Sequence, residues 1–510
     1  MELKKNMTGK AMIGFLVLIM AGLIFCQGSL DAAGPDLKET LTPFPPAPEG
    51  WTSFAQSLKF SPDLVHMAYV AGRDKKFAVV RDGKIGPLFD SIGQDTPVFS
   101  RDGRHMAYKA KKGSAWRVVL DDKEQASYSA VSRPVFSLDS ARMLYIAGKK
   151  DKQCIIVDGR EAGCYEAVLQ DSPAFSSNSA HWFAIGVKKK KQFVIMDGKD
   201  GAAYEKISPP LLSPDASRLA YPAMRDGKWY MVVDGKEGVP HEEIMLYTFS
   251  PDSSHLYYTF RKGEKWRMMT DGREGKAYDG IGAPAFSPDG KGMSQLVILN
   301  KKWSIIVDGK QGAAWDFIDV LGYSPDSRRV AYNACRLKGK ESKECFMVED
   351  GQAKAAYDLV SAPSFSSDSQ RLAYSAKQGD KWFIVMDGKP GPAYKYVSTP
   401  LFSPDGKHFC YLAQKEGIWL LVTDGKEGPA YASVVNPAWS SDSRHLAYMV
   451  EEGGFWTISV DGKSARNFFS GFVKGSTIEF LAPDRLRALA TKVDPKKGPQ
   501  FIKYEIEIGK

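Results

Sequence analysis

Short runs of alternating apolar and polar residues, broken by Pro, Gly, Asp and Ser, recur along almost the whole chain. One copy runs from Phe402 to Tyr431 and reads FSPDGKHFCYLAQKEGIWLLVTDGKEGPAY. An aromatic residue or Leu opens each copy, at Phe60, Phe99, Phe136, Phe175, Leu212, Phe249, Phe286, Tyr323, Phe365, Phe402 and Trp439. Seven of the ten intervals are 37 residues and the others are 39, 39 and 42. A fixed period in this range marks a propeller, solenoid or array. Period-two alternation inside the pieces excludes a helical repeat.

Each copy holds four strand-like pieces separated by turn signals. The first leads into the opening aromatic and ends at Ser-Pro-Asp-Gly or Ser-Pro-Asp-Ser, where Pro presets φ and the Asp or Ser side chain bonds the turn backbone. The second alternates around Leu-Ala-Tyr, as at Leu219-Ala220-Tyr221, Leu372-Ala373-Tyr374 and Leu446-Ala447-Tyr448. The third carries Trp116, Trp229, Trp266, Trp303, Trp382, Trp419 and Trp456, each 17 residues after its opening aromatic, which reads as a packing layer between sheets. It closes in Asp-Gly-Lys or a near copy, a turn whose Gly supplies positive φ. Seven residues past that Asp another aromatic, such as Tyr165, Tyr278, Tyr431 or Phe468, is read as the start of the fourth strand.

Four short antiparallel strands per unit make a propeller blade. Phe480-Leu481-Ala482-Pro483-Asp484 opens a degraded twelfth unit, and Arg485 to Ile508 has room for two more strands but not a fourth. At the other end, Trp51 to Leu58 falls where a fourth strand would precede Phe60. Pairing the two ends would close the ring and hide two sheet edges. The expected fold is all-β, a β-propeller of about twelve four-stranded blades. Twelve exceeds the roughly four to eight blades usual around one channel. The preferred arrangement is therefore two six-bladed propellers, 49–284 and 285–510, with one large ring as the alternative.

Ahead of the repeats, Lys4, Lys5 and Lys10 precede an apolar run from Ala11 to Phe25. That order, and a run short for a membrane span, read 1–28 as a signal segment of an exported protein. Leu23-Ile24-Phe25-Cys26 outlines a lipoprotein cleavage box, although Phe25 is larger than such boxes prefer. Release after Gly28 or near Ala33, a lipid anchor at Cys26 and an uncleaved anchor all stay open, and membrane association is expected through this segment only. Residues 29–48, with Thr42-Pro43-Phe44-Pro45-Pro46-Ala47-Pro48, read as a proline-rich spacer.

The net charge of +9 is no argument for nucleic acid. Part of it lies in the signal segment, and the densest run, Lys188 to Lys191, falls where a hairpin tip is expected. No nucleic-acid partner is expected; an acidic polymer or anionic surface stays open.

The recurring Phe-Ser-Pro-Asp-Gly/Ser followed by Leu-Ala-Tyr resembles the repeat of TolB-like propellers and of the N-terminal propellers of prolyl-oligopeptidase-type enzymes. The resemblance covers residues 60 to 484. It implies a periplasmic or secreted binding scaffold. The Asp-Gly-Lys-x-Gly turn and the Trp strand make this chain a variant of that pattern.

Chemistry is sparse. Only a short tail follows the repeats, and it holds no Gly-x-Ser-x-Gly, so serine peptidase activity is not expected. His66, His105, His181, His255, His408 and His445 each lie six residues after an opening aromatic, in a slot that Arg142, Arg218, Arg329 and Arg371 fill in other copies. His241 takes an aromatic slot. The histidines should be spread one per blade, and no His-Glu-x-x-His occurs, so no metal site is expected. The sharper alternative is a basic face that reads an anionic ligand. The repeated Asp of Ser-Pro-Asp is a turn former, since calcium would need several oxygens converging on one point. Cys154 with Cys164, and Cys335 with Cys345, have identical spacing, symmetric about Gly159 and Lys340. Symmetry about a hairpin turn sets the sulfurs opposite each other, and two disulfides are expected in an oxidising compartment. Cys410 takes the Ala slot of Leu-Ala-Tyr and should be buried and free.

The expected function is a non-enzymatic exported scaffold, without cofactor, binding a protein or peptide partner in the cell envelope. The alternative is a polysaccharide-active or carbohydrate-binding propeller, with a glycan as partner.

Overall fold

The computed structural model of the chain describes residues 35–46, 48–339, 342–494 and 498–509. The signal segment 1–28, its Cys26, and Lys340 lie outside the described residues. Twelve antiparallel sheets follow one another along the chain. Numbered in chain order, blade 1 spans 52–85 and blades 2 to 6 span 91–124, 130–165, 167–200, 206–241 and 243–278. Blades 7 to 11 span 280–311, 317–357, 359–390, 396–431 and 433–464, and blade 12 combines 471–508 with 37–43.

In blade 10, Leu401–Phe402 and Tyr396–Val397 form a broken first strand on Phe409–Lys415. The second strand pairs with Ile418–Thr423, which pairs with Lys426–Tyr431. The second aromatic therefore ends the fourth strand rather than starting it: Tyr431 lies opposite Trp419, and Tyr278 opposite Trp266. Asp-Gly turns the chain at once, so the strand begins directly after it. In blade 11 the slot falls to Phe469, fully buried, and Phe468 next to it is exposed.

The hydrophobic core is divided into twelve clusters, one at each junction between blades. At the last junction Phe44, Met67, Tyr69 and Leu489 join blade 12 to blade 1. Blade 6 packs on blade 7 through Tyr278, Val297 and Ile306. Every blade thus meets the next and the last meets the first. The chain forms a single ring of twelve blades, which corrects the preferred arrangement of two six-bladed propellers divided at 284 and 285. Residues 35 to 510 form one compact unit. Repeat length reports the blade but not the angle between blades, which is set by the side chains packed at each junction.

The ring closes by pairing its ends, with a different strand from the one expected. Leu37–Pro43 runs antiparallel to Gly498–Ile508, with Leu37 opposite Ile508 and Pro43 opposite Ile502. It supplies the fourth strand that blade 12 lacks, so the region expected as a spacer is partly structural. Thr52–Ser53 instead pairs with Met67–Arg73 as part of the first strand of blade 1. Leu37, Glu39 and Leu41 alternate inward, and Pro43 sits at the end of an outermost strand, where a missing N–H costs no ladder bond.

Both expected disulfides are present. Cys154 and Cys164 are cross-strand partners on the third and fourth strands of blade 3, and Cys335 and Cys345 on the second and third strands of blade 8. Cys410 is free and fully buried, and burial pushes its thiol up to about 12.

Candidate interaction surface

Two faces of the ring differ in chemistry. The turn face carries the Ser-Pro-Asp turns and the Asp-Gly turns. There the buried Ser of each Ser-x-Asp turn donates to the Asp two residues on, as Ser100 does to Asp102 at 2.6 Å and Ser403 to Asp405 at 2.6 Å. The hydroxyl also accepts the N–H of the residue five positions on, His105 and His408 in these copies. These bonds hold the turn carboxyls below their usual range, Asp252 at about 2 with the Ser250 bond as its main cause.

Neighbouring turns are linked as well. The backbone N–H of Asp102 donates to Ser140 Oγ in the next blade at 3.0 Å. Asp139 does the same to Ser179, Asp215 to Ser253, Asp289 to Ser327, Asp326 to Ser369 and Asp405 to Ser443. This explains why Ser alternates with Gly at the fourth turn position: both occur there at positive φ, and Ser adds a bond across the junction.

The six histidines all lie on this face, one each in blades 1, 2, 4, 6, 10 and 11. Each Nδ1 meets the Asp of its own Asp-Gly turn: His66 to Asp82, His105 to Asp121, His408 to Asp424 and His445 to Asp461 at 2.7 Å, His181 to Asp197 at 2.6 Å and His255 to Asp271 at 2.5 Å. The other carboxylate oxygen of that Asp accepts the next backbone N–H, as Asp82 does from Met67. The Arg copies also reach forward. Arg142, Arg218, Arg329 and Arg371 lie 5.0 to 5.3 Å over the opening aromatics of the following blades. Each His is thus opposed by a carboxylate of its own blade, and the slot serves blade assembly. The signal in the sequence is the constant 16-residue step from His to Asp, which pairs two repeat positions read there separately.

Among the described residues, the one group of ligand-type side chains close enough to hold a metal is Cys154, Glu161 and Cys164, and its two sulfurs are joined to each other. A cleft of about 470 Å3 opens on the turn face between blades 10 and 11, lined by His408, Trp439, Arg444 and Tyr448. His408 is already bonded to Asp424 and stacked on Trp439.

The opposite tip face carries the hairpins between second and third strands, and lysines recur on it from blade 1 to blade 9. In blades 1 to 6 these hairpins read RDKK (73–76), KKGS (111–114), KKDK (149–152), KKKK (188–191), RDGK (225–228) and RKGEK (261–265). Some of these charges are used internally: Asp90 takes Lys76 at 2.6 Å and the N–H of Gly113 in the next blade, which lowers its pKa. Glu205 likewise takes Lys191 and the N–H of Asp226. Lys75, Lys150, Lys189 and Lys190 are exposed, and among the described residues their ammonium groups form no ion pair, while Glu166 accepts the backbone N–H of Lys189 at 2.9 Å.

The backbone at these lysines is costly. Lys189 and Lys190 sit at φ 49° and 62°, and Lys75 at 61°. Such left-handed residues cost about 1–2 kcal/mol each when they carry a Cβ. In the same blade the third–fourth turn uses Asp197-Gly198 for this conformation.

Blades 7 to 9 keep lysines at the tip, such as Lys301, Lys338 and Lys381, and large apolar residues join or replace them in blades 7, 8, 10, 11 and 12. Leu299, Leu337, Ile418, Phe455 and Val493 stand at or beside hairpin tips, 37 to 62% exposed. Behind them Tyr396, 42% exposed, lies between Trp382 and Trp419, with ring centroids 6.0 and 5.7 Å apart. A shallow depression of about 640 Å3 on the tip face of blade 1 is lined by Phe54, Arg73, Lys75 and Phe77. A Lys opens the third strand 16 residues after the opening aromatic at Lys76, Lys152, Lys191, Lys228, Lys265, Lys302 and Lys381, and Ile418 and Phe455 take that slot in blades 10 and 11; of these tips only Lys188 to Lys191 stands out in the sequence, and it does form a hairpin tip.

No model of a known protein family matches the chain. Over 93 residues it is 40% identical to an uncharacterized protein in the bglA 3′ region of Butyrivibrio fibrisolvens, a match spanning 17% of this chain and 95% of that one. Similar solved structures include a eukaryotic initiation factor, 14% identical over 64% of this chain and 94% of that one, TM-score 0.33. The Dos1 propeller is 11% identical over 57% and 90%, TM-score 0.27. The propeller domain of the Trilobed protease from Pyrococcus furiosus is 14% identical over 52% and 97%, TM-score 0.24.

Proposed function

We propose, for a chain that belongs to the same family as the uncharacterized Butyrivibrio fibrisolvens protein, the function of an exported, non-enzymatic scaffold that holds a protein or peptide partner on its tip face. The observation that carries the reading is the row of large apolar side chains at the tips of blades 7, 8, 10, 11 and 12. Leu299, Leu337, Ile418, Phe455 and Val493 project from separate hairpins and support no junction core, as side chains used for contact with another molecule would. The turn face, by contrast, spends its polar groups on its own turns. The two disulfides agree with an oxidising compartment.

The test is capture from envelope extract on the wild-type protein and on I418S/F455S, followed by direct binding of the purified captured species. A protein that binds the wild type and loses at least tenfold affinity on the variant supports the reading. Capture of glycan alone, or equal binding to both proteins, ends it.

The Tyr396 stack between Trp382 and Trp419 favours a second reading, a carbohydrate-binding propeller, because exposed rings suit the apolar faces of sugars. Loss of polysaccharide retention in Y396A, with protein capture unaffected, would favour it.

A further inference from the structure

We propose that the tip face takes an acidic protein segment that also carries apolar side chains, its carboxylates over the lysine tips of blades 3 and 4 and its apolar groups over Ile418 and Phe455 of blades 10 and 11. The inference rests on the scaffold reading and names the chemistry of the partner.

Three observations point to it. Among the described residues the ammonium groups of Lys150, Lys189 and Lys190 form no ion pair, and the Glu166 carboxylate beside Lys189 takes its backbone N–H, so their charge is available. Lys189 and Lys190 occupy a turn conformation for which the same blade uses Asp-Gly, so turn formation does not explain them. Lysine tips run from blade 1 to blade 9, and in blades 10 and 11 Ile418 and Phe455 stand where seven other tips place Lys, so the two kinds of tip lie side by side on one ring. A bilayer offers the same layers to every tip and cannot match a face split side by side. An acidic glycan answers the lysines but not Phe455, 54% exposed, or Ile418, 42% exposed. A polypeptide with an acidic stretch and an apolar stretch matches both kinds of tip.

The test uses the purified protein with four probes: a random glutamate–tyrosine copolymer, polyglutamate of equal length, polygalacturonate and phosphatidylglycerol vesicles. Two variants separate the two kinds of tip. K189N/K190G keeps the hairpin and removes two charges, and I418S/F455S removes the apolar anchors without touching a junction core. The expected result is copolymer binding that weakens with salt, falls by about fivefold or more in K189N/K190G, and falls in I418S/F455S while polyglutamate binding does not. Copolymer binding unchanged in both variants overturns the proposal. Polygalacturonate bound as tightly as the copolymer, or vesicles bound in preference to it, also overturns it, in favour of an acidic glycan or a lipid surface. An envelope protein whose capture depends on Ile418 and Phe455 but not on Lys189, Lys190 or salt would leave the scaffold reading standing and remove the acidic partner.

Discussion

Glu39 accepts a hydrogen bond of 2.6 Å from the hydroxyl of Tyr504, a residue 465 positions further along the chain. The same carboxylate accepts the backbone N–H groups of Arg466 and Asn467 and the side-chain amide of Asn467. One side chain of the first strand therefore ties the third strand of blade 12 to the last turn of blade 11. Burial works against its charge, yet these bonds win and hold its carboxyl below the usual range.

Replacing Glu39 by Ala leaves the Tyr504 hydroxyl, on a fully buried side chain, without its acceptor. The expected cost is about 2–4 kcal/mol, since hydrogen bonds to a charged group are lost together. Urea unfolding should show this in E39A and a smaller loss in E39Q. Deleting residues 35 to 46 should go further and bare the edge of Gly498–Ile508. Open edges pair with other chains, so size-exclusion chromatography should report larger species for the deletion than for the full protein at the same concentration.

The Lys189-Lys190 hairpin should trade stability for charge. Both residues are left-handed, and Lys188 pairs with Lys191 across a two-residue turn, the geometry that Asn-Gly prefers. K189N/K190G should be more stable than the wild type by about 1 kcal/mol, the relief of strain being partly offset by the entropy of an added Gly. A urea midpoint that falls would show that the lysines are not strained where they stand.

The junction between blades 6 and 7 should open first. Its core cluster holds three buried side chains, against fourteen between blades 11 and 12. In blade 7 the Leu-Ala-Tyr slots are filled by Met293, Ser294 and Gln295, so a buried amide stands where other blades place a Tyr ring. Less apolar area is withdrawn from water at this junction, and local opening follows low burial. Native-state hydrogen exchange should show the second strand of blade 7 exchanging well before Arg485–Asp494 of blade 12. The reverse order would refute this.

The blades were legible because their signals are local. Phe60 to Trp439 repeat at near-constant spacing, and Cys154 and Cys164 are symmetric about their own turn, so each statement needs only a few residues in a row. What failed was long-range. Leu37–Pro43 carries an alternation no stronger than that of Trp51 to Leu58, and its partner lies more than 450 residues away, so turn signals at Pro43, Pro45 and Pro46 outweighed it. The number of blades in one ring depends on side-chain widths at twelve junctions, which no single repeat reveals. The histidine slot was found but not its partner, because His66 and Asp82 sit in different turns that only the folded blade brings to 2.7 Å. Ile418 and Phe455 are the reverse case: they replace the Lys that fills their slot in seven other blades, a departure visible in the repeat whose exposure only the folded tip reveals.

His241 makes the ring sensitive to mild acid. It occupies the aromatic slot of blade 5, buried, in contact with the rings of Tyr258 and Phe260, and its Nε2 lies 3.3 Å from the Tyr258 hydroxyl. Burial lowers its pKa below the ordinary value, with Glu274 opposing and Lys262 adding to the shift. A base whose folded pKa is depressed is protonated first in the unfolded chain, so the unfolded state binds more protons between the two values. Stability is therefore complete above about pH 6.5 and declines as pH falls through that value towards the folded pKa. Other blades hold Tyr in this slot, as at Tyr165 and Tyr278, and H241Y should fold without the titration. Thermal melts at pH 7.5 and pH 5.5 should show a lower midpoint at the acid end for the wild type and a smaller difference for H241Y. Equal shifts in the two proteins would place the acid sensitivity elsewhere. The turn carboxyls such as Asp252 cannot mimic this effect, because their depressed values keep them charged until the pH falls below about 4.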